Sequence, residues 1–490
     1  MFIDCNGVEA SAATLKTLRD AIVDFKESEK FVYAYAHEGY AQGDYYVASV
    51  ADSIFLNPAG AIDVHGLASA TPYPKKLLDK LGVEMQVVRV GTFKSAVEPF
   101  MAEEMSEANR MQQEVYLGNI WDHMLTSMAE SRKIPAEKLN GMVDSILVTM
   151  PTDSLVKLKL VDKLCYRHEM EEKLRVLTGV ATISDLPLVS PEELVGDLDG
   201  EVVGDKIAVL YAVGEIDGQF NPMMGETGIS SDDFTQTVYD LIEDEDVKGL
   251  VVRVNSPGGS AFGSEQMWKA IEDFKKTGRP VAVSMGDYAA SGGYYMSCGA
   301  DRIFAEPTTI TGSIGIFGVI PCTQELVENK LGINTYVVKT NENADMGLSN
   351  KRLTPVQLAA MQNMINNGYD LFTRRCADGR HVTQDSIKKI AEGRVWDGAT
   401  AMKIGLVDQM GSLNDAIAWV AAKAGMTDYV TQNYPAPVNG LEEMLNSYMV
   451  EHYEAGLKHD MGMVYEYHQY IMRLLSRDHV LCIMEKPVIK

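Results

Sequence analysis

The sequence has no surplus of basic residues. Its 44 Lys and Arg stand against 69 Asp and Glu, which leaves a net charge of −25 over 490 residues. Nucleic-acid binding needs a basic stripe that can displace counterions from phosphates. The charge balance therefore argues against a nucleic-acid partner and predicts an acidic, soluble protein.

Cysteines are few and scattered, and no CxxC pair occurs. This spacing excludes both a disulfide framework and a zinc module of paired ligands, so we expect neither a metal nor a cofactor. The thiols are instead predicted to be ordinary buried side chains. They are Cys5, Cys165, Cys298, Cys322, Cys376 and Cys482.

The sequence also lacks a run of 18 to 20 apolar residues, about the length that crosses a bilayer. Its longest uncharged stretch, residues 307–324, is interrupted by Gly, Thr and Pro. The first residues have neither the basic flank nor the apolar block of a signal peptide. We therefore expect no membrane anchor in this chain.

What the sequence does contain is an internal repeat. YYVASVADSIFLNP, ending at Pro58, recurs 249 residues later as YYMSCGADRIFAEP, ending at Pro307. In both copies the preceding residues read as an apolar run, a turn, an amphipathic segment and a second apolar run. This order predicts a strand, loop, helix and strand in each copy, and so an α/β fold present twice.

The repeat predicts four regions. They are a first α/β repeat at 1–165, an acidic linker at 166–204, a second repeat at 205–425 and a mostly helical C-terminal arm at 426–490. The second repeat opens with an apolar strand at Lys206 that has no counterpart in the first. We therefore expect the first repeat to be incomplete at its start and its sheet to lack a strand.

A candidate nucleophile is Ser291, in GDYAASGGYYMS, where the first repeat has Gln42. Gly292 and a helix-compatible run follow, so the hydroxyl could stand where backbone N–H groups face a developing oxyanion. The alternative is a turn serine that only caps this helix.

A serine hydroxyl needs a base, and none of the nine histidines lies in a glycine-rich loop near Ser291. Lysine can serve as this base if burial lowers its pKa from about 10.4 toward 7. Lys94, in VGTFKSAVEP of the first repeat, has apolar neighbours that suit such burial, and Ala344 or a close neighbour lies opposite. The alternative is a solvated surface lysine.

Two further segments of the second repeat carry glycine-flanked positions. NSPGGSA follows an apolar strand, so Gly258 and Gly259 can bring backbone N–H groups close to a bound carbonyl. The phosphate-binding patterns GxxxxGK[ST] and GxGxxG are absent from this loop. ITGSIGIFG, around Ser313, has Val64 opposite it in the first repeat. These differences all favour a working site in the second repeat.

Together, NSPGGS, AASGGYY, TGSIGIFGV and VGTFKSAVEP resemble the signal peptide peptidase A family, peptidase family S49, in its long, duplicated bacterial type. The resemblance covers the chain to about residue 425. It implies two tandem Clp protease/crotonase-like repeats and a serine protease with a Ser–Lys dyad that degrades signal peptides left in the membrane.

Carried over by motif, the resemblance makes Ser291 the nucleophile and Lys94 the general base. Ser313 becomes the hydroxyl that orients the lysine. Gly258 becomes a backbone oxyanion donor, with Gly292 as a weaker candidate.

The resemblance also implies a homotetramer on the cytoplasmic membrane that faces the periplasm and takes peptide substrates. The chain departs from that pattern because the anchor and the opening strand of the first repeat are missing. Two alternatives stay open at this point: a crotonase-type acyl-CoA enzyme, which shares the fold, and an inactive truncated scaffold.

Overall fold

The computed structural model describes residues 1–8, 10–189, 204–218, 228–435, 480–484 and 488–489. The described residues form two compact units. The first comprises those within Met1–Ala68 and Leu117–Glu201, with Ile489, and the second those within Ser69–Tyr116 and Val202–Val488. This division differs from the predicted boundaries, because residues 69–116 of the first repeat belong to the second unit.

The strands, numbered in chain order, are β1 (Phe2–Cys5), β2 (Tyr33–Ala36), β3 (Gly39–Ala41), β4 (Ser53–Leu56), β5 (Ala61–Asp63), β6 (Ser69–Ala70), β7 (Glu84–Arg89), β8 (Lys163–Leu164), β9 (Lys206–Val213), β10 (Glu215–Ile216), β11 (Gly228–Ile229), β12 (Val247–Ser256), β13 (Gly258–Ser260), β14 (Val281–Ala290), β15 (Arg302–Ala305), β16 (Ile310–Gly312), β17 (Phe317–Cys322), β18 (Val395–Asp397), β19 (Gln409–Met410), β20 (Val430–Tyr434), β21 (Val480–Ile483) and β22 (Val488–Ile489).

The helices are α1 (Ala12–Lys26), α2 (Gln42–Ala48), α3 (Lys75–Leu81), α4 (Glu98–Met101), α5 (Glu107–Arg132), α6 (Ala136–Val143), α7 (Thr152–Lys157), α8 (Arg167–Thr178), α9 (Ser231–Glu243), α10 (Ala261–Lys276), α11 (Gly292–Ser297), α12 (Pro355–Gly379), α13 (Gln384–Ile390), α14 (Gly398–Lys403) and α15 (Leu413–Ala424). Short 3₁₀ helices span Ser95–Val97, Leu147–Thr149 and Ile183–Asp185, and Glu325–Lys330 is π-helical.

The second unit is built on a central sheet of order β18-β16-β14-β12-β9-β20. β9, β12 and β14 run parallel, with Val251 opposite both Val209 and Ala282. Parallel strands covered on both faces read as continuous apolar runs, as IAVLYAV of β9 does here. Helix α15 covers one face through Val420. Helices α9, α10 and α12 cover the other through side chains such as Ile271.

Polar residues mark the ends of the covering helices. Ser260 Oγ accepts from the Gly263 N–H at 3.1 Å at the start of α10. Thr354 caps α12 in the same way, with Pro355 at its first position. Such caps satisfy backbone donors that have no partner within the helix.

A second sheet in the same unit has the order β11-β10-β13-β21-β17-β7. β7 pairs antiparallel with β17 from Arg89 opposite Phe317 to Glu84 opposite Cys322. This pairing is the reason that residues 69–116 belong to the second unit. β21 comes from the C-terminal end of the chain and lies between β13 and β17.

The first unit repeats the pattern of the second on a smaller scale. Its parallel sheet has the order β1-β2-β4-β8, and α1, α2 and α8 occupy the chain positions that α10, α11 and α15 hold in the second repeat. β1 corresponds to β12, which lies between β9 and β14. Among the described residues β1 pairs with β2 alone and forms an edge of its sheet.

The predicted α/β class is confirmed, and so is the burial of all six cysteines. Residues 190–203 of the predicted linker and 436–479 of the predicted helical arm lie outside the described residues. The described ends of that arm form β20 and β21, which the sequence did not predict. In the described part of the chain, no helix is at once long enough and apolar enough to cross a bilayer.

Candidate active site

The amine of Lys94 and the hydroxyl of Ser291 are in direct contact. Lys94 Nζ donates to Ser291 Oγ at 2.7 Å, to Ser313 Oγ at 3.0 Å and to the Ser313 carbonyl oxygen at 3.1 Å. All three residues belong to the second unit. Lys94 is 1 % exposed, so the alternative of a solvated surface lysine is wrong.

Ser291 has a backbone conformation that few residues other than glycine adopt. It follows β14 and precedes α11 with φ 56° and ψ −114°, and its N–H donates to the Gly312 carbonyl at 2.8 Å. Its side chain makes no capping hydrogen bond to α11, which removes the alternative of a capping turn serine. A backbone in such a sparsely populated region costs about 1–3 kcal/mol, and strain of this kind is concentrated at functional sites.

Burial changes the acidity of the lysine. Desolvation lowers the pKa of Lys94 from 10.5 to about 8, and the nearby Cys482 acts in the opposite direction. The centroid of the Phe317 ring lies 5.9 Å from Nζ, which adds to the apolar surroundings. A lysine with this pKa is substantially neutral at mildly alkaline pH and can then accept a proton.

Ser313 is held beside the lysine by the strands around it. It follows β16, its φ is 50°, and its N–H donates to the Arg394 carbonyl at 2.7 Å just before β18. Its hydroxyl and its carbonyl oxygen both accept from Lys94 Nζ. Two fixed acceptors on one residue restrict the direction in which the amine points.

Hydrogen bonds from Gln112, a residue that the sequence analysis missed, hold the loop that carries Lys94. Gln112 Nε2 donates to the Phe93 carbonyl at 3.2 Å and to Ser95 Oγ at 3.1 Å. Its Oε1 accepts from the Val395 N–H at 3.2 Å. Gln112 and Val395 are 283 residues apart in sequence, so no local pattern could have indicated this contact.

Gly393 is a second residue that the sequence analysis missed. Its φ is +76°, and a Cβ added there would lie 2.6 Å from the Cβ of Lys94. Only glycine therefore allows this backbone to pass so close to the lysine. AEGRVW reads as an ordinary turn, and the close approach is visible only in the folded chain.

The two predicted oxyanion glycines also come together beside Ser291. Gly258 has φ +104°, and a Cβ there would lie 2.7 Å from the Gly292 backbone nitrogen. The Gly258 N–H donates to Ser256 Oγ at 3.2 Å. The structure thus brings Ser291, Lys94, Ser313, Gly258 and Gly292 close together in one buried region.

The arrangement of an amine beside a hydroxyl can perform acid–base and nucleophilic chemistry. Within the described ranges, no cluster of three or more His, Cys, Asp or Glu side chains has a metal-binding arrangement. The functional atoms at the site are an amine, two hydroxyls and backbone N–H groups.

Comparison with known proteins identifies the family. Residues 24–181 and 273–427 match Peptidase family S49, one stretch in each repeat. "Protease 4" of Haemophilus influenzae is 37% identical over 429 residues, which cover 85% of this chain and 69% of that protein. "Serine protease SPPA, chloroplastic" of Arabidopsis thaliana is 29% identical over 418 residues, covering 84% of this chain and 61% of that protein.

A search of solved structures returned a Listeria monocytogenes ClpP1 mutant at 14% identity. The match covers 43% of this chain and 94% of that one, and its TM-score of 0.29 is too low to carry an argument. The family match and the identity to Protease 4 are sufficient on their own. This chain belongs to Peptidase family S49 and is a serine protease.

Proposed function

We propose that the protein is an endopeptidase with a Ser–Lys dyad, in which Ser291 is the nucleophile and Lys94 the general base. The observation that carries the proposal is the 2.7 Å contact between Lys94 Nζ and Ser291 Oγ in a site where the lysine is 1 % exposed. A buried amine whose pKa falls to about 8 can remove the proton of a hydroxyl that it touches.

The proposed reaction begins when neutral Lys94 takes the proton of Ser291 Oγ. The oxygen attacks the carbonyl carbon of the substrate peptide, and the backbone N–H groups of Gly258 and Gly292 stabilise the oxyanion. Lys94 then delivers its proton to the leaving nitrogen, and an acyl-enzyme remains on Ser291. Water, activated by the same amine, hydrolyses the ester and regenerates the hydroxyl.

Ser313 acts on the lysine in this proposal. Its hydroxyl and carbonyl oxygen, 3.0 and 3.1 Å from Nζ, hold the amine in position before and after proton transfer. Its role is therefore positioning, since the reaction needs the lone pair of the amine directed at Ser291.

The substrates proposed are extended apolar peptides, of which signal peptides released by cleavage are one class. The support is the resemblance of the four motifs together with the apolar ring of Phe317, whose centroid lies 5.9 Å from Lys94 Nζ. On the same resemblance we propose a homo-oligomer, a tetramer, that works at the periplasmic face of the cytoplasmic membrane.

The test is hydrolysis of a fluorogenic apolar peptide, combined with mass spectrometry after treatment with a fluorophosphonate. Wild type should turn over the peptide and carry the adduct on Ser291. Ser291→Ala and Lys94→Ala should each lower the rate roughly 10³- to 10⁶-fold. Ser297→Ala is the matched control, because its hydroxyl donates to the Gly293 carbonyl in the same helix.

Two outcomes would contradict the proposal. Equal background rates in wild type and both dyad variants would favour an inactive scaffold. Turnover of an acyl-CoA with no adduct on Ser291 would favour a crotonase-type enzyme.

A further inference from the structure

Arg89 is the last residue of strand β7, and its side chain lies on a defined face of the second sheet. Successive side chains of a strand point to opposite faces. Met85 and Val87 pack against one apolar cluster, whereas Val88 packs in the main core of the unit. Arg89 therefore shares the face of Met85 and Val87.

The strand register places Arg89 close to the amine of Lys94. Arg89 lies directly opposite Phe317 of β17. Side chains at opposite positions of an antiparallel pair share a face, with their Cβ atoms about 5 Å apart. The centroid of the Phe317 ring is in turn 5.9 Å from Lys94 Nζ. The guanidinium of Arg89 is thus on the side of the sheet where Phe317 borders the candidate active site.

A hydrogen bond also connects Arg89 to the loop that carries Lys94. Arg89 Nη1 donates to the Lys94 carbonyl oxygen at 3.3 Å. This contact uses one of the five N–H donors of a guanidinium. Within the described residues, the guanidinium forms no ion pair and no other hydrogen bond. Most of its donors are therefore available to another group.

The charge of Arg89 has no acidic partner in the described part of the chain, although the protein has a net charge of −25. At the opposite end of β7, by contrast, Glu84 forms an ion pair with Arg352 at 2.9 Å. Arg89 is half-buried, and a charge that loses part of its water needs a partner of opposite sign. An anion that binds beside Lys94 would supply this partner.

We propose that Arg89 is a specificity-determining residue that binds a carboxylate of the substrate peptide. This inference rests on the proposed function, and it adds one negative group, close to the cleaved bond, to an otherwise apolar substrate. A guanidinium can present two parallel N–H donors to a carboxylate while a third donor stays on the Lys94 carbonyl oxygen. The carboxylate belongs either to the free C-terminus of the peptide or to an Asp or Glu side chain.

A purely structural role of Arg89 would have a different signature. If Arg89 only held the loop through the Lys94 carbonyl oxygen, its removal would slow the hydrolysis of every peptide by the same factor. A residue that binds a carboxylate instead changes the ratio of kcat/KM between substrates that differ only in that group. This ratio is therefore the readout that separates the two roles.

The experiment uses internally quenched fluorogenic peptides with one apolar core. One matched pair ends in a free carboxylate or in an amide, and a second set carries Glu or Gln at each position in turn. With wild type at pH 8, at least one acid should have a kcat/KM roughly 10- to 100-fold higher than its neutral analogue. A response of the terminal pair assigns the C-terminal carboxylate, and a response of a Glu/Gln pair assigns a side chain.

Variants of Arg89 test the assignment. Arg89→Gln should lower the ratio of kcat/KM between acid and neutral peptide to about 1, because an amide has no charge. Arg89→Lys should keep part of the ratio, since an ammonium retains the charge but lacks the planar pair of donors. Arg374→Gln is the matched control, because Arg374 is an exposed arginine on α12, and it should keep the wild-type ratio.

Peptide binding to an inactive chain separates this inference from the proposed function. The fluorescence anisotropy of a labelled acid peptide and of its neutral analogue is measured with Ser291→Ala, which requires no turnover. The acid should bind roughly tenfold more tightly or better. The double variant that also carries Arg89→Gln should lose this difference.

Two outcomes would overturn the role of Arg89. They are equal kcat/KM for acid and neutral peptides in wild type, and a preference for the acid that survives in Arg89→Gln. Both would leave the proposed function standing, provided that hydrolysis still depends on Ser291. Absence of hydrolysis in wild type, with the acid still bound more tightly through Arg89, would instead overturn the proposed function and keep the carboxylate site.

Discussion

Lys94 Nζ donates to Ser291 Oγ at 2.7 Å, although 197 residues separate the two in sequence. The contact exists because β7, which precedes Lys94, pairs along its whole length with β17, and Ser291 lies at the end of β14 in the same unit. A segment of the first repeat thus supplies the amine that contacts a serine of the second.

The first prediction concerns pH. Because burial lowers the pKa of Lys94 to about 8, the base-competent fraction of free enzyme should be about one tenth at pH 7 and one half at pH 8. We expect kcat/KM for a neutral peptide to rise with unit logarithmic slope and to level above pH 8. A profile that is flat between pH 6 and 9, or that levels below pH 7, would contradict this assignment.

The second prediction concerns stability. The pKa of Lys94 is 10.5 when the chain is unfolded and about 8 when it is folded. Between these two values the unfolded state therefore binds more protons than the folded state. The free-energy cost of burying a charged Lys94 is fully present below pH 8 and is relieved as pH rises toward 10.5. Lys94→Met should remove this cost and raise the free energy of unfolding at pH 7 by ~1–3 kcal/mol, while activity is lost.

Thermal unfolding of Lys94→Met at pH 7 and pH 10 measures this effect, and the gain should shrink at the higher pH. Lys389→Met is the matched control, since Lys389 is an exposed lysine on α13. A variant less stable than wild type at pH 7 would show that the lost hydrogen bonds outweigh the relieved charge.

The third prediction concerns Ser313. Ser313→Ala removes one of two acceptors on this residue for Lys94 Nζ, so kcat should fall roughly 10- to 100-fold with little change in KM. Loss of an acceptor disfavours the ammonium form, so the midpoint of the pH profile should also move to lower pH. Thr311→Val is the control, because the Thr311 hydroxyl donates to the Ala289 carbonyl instead. An unchanged midpoint in Ser313→Ala would make its role purely structural.

The fourth prediction concerns Gln112. Gln112→Leu removes the hydrogen bonds that tie Phe93 and Ser95 to Val395, so Lys94 should be held less firmly. We expect kcat, and the rate of fluorophosphonate labelling, to fall roughly tenfold with KM preserved. Gln113→Leu is the matched control, because the Gln113 amide donates to Asn109 and has no hydrogen bond to Phe93, Ser95 or Val395. A parallel loss in both variants would indicate general destabilisation.

The sequence singled out residues that lie together in the structure, whereas the boundaries of the units differ from the predicted ones. Ser291, Lys94 and Ser313 each sit in a motif that differs between the repeats, so comparison of the two copies made them candidates, and the resemblance to the family gave them roles. The repeat also predicted the order of strands and helices, because periodicity and turn residues recur at a fixed offset.

The parts that could not be predicted depend on pairing between distant segments. The sequence contains no local pattern that predicts the pairing of β7 with β17 or the pairing of β21 with β17. Any apolar strand can pair with any free strand edge. Gln112 and Gly393 belong to the same class, because their roles come from contacts made by residues far away along the chain.

Residues 69–116 come from the first repeat but belong to the second unit. This placement limits the positions at which the chain could be divided into two active fragments. A polypeptide that began at residue 204 would keep the serine and the glycine loop but would lack β7, Lys94 and Gln112. The fragment ending at residue 189 would contain Lys94 but would lack Ser291. Co-expression of the two fragments should restore turnover only where they associate, because neither fragment contains both Lys94 and Ser291.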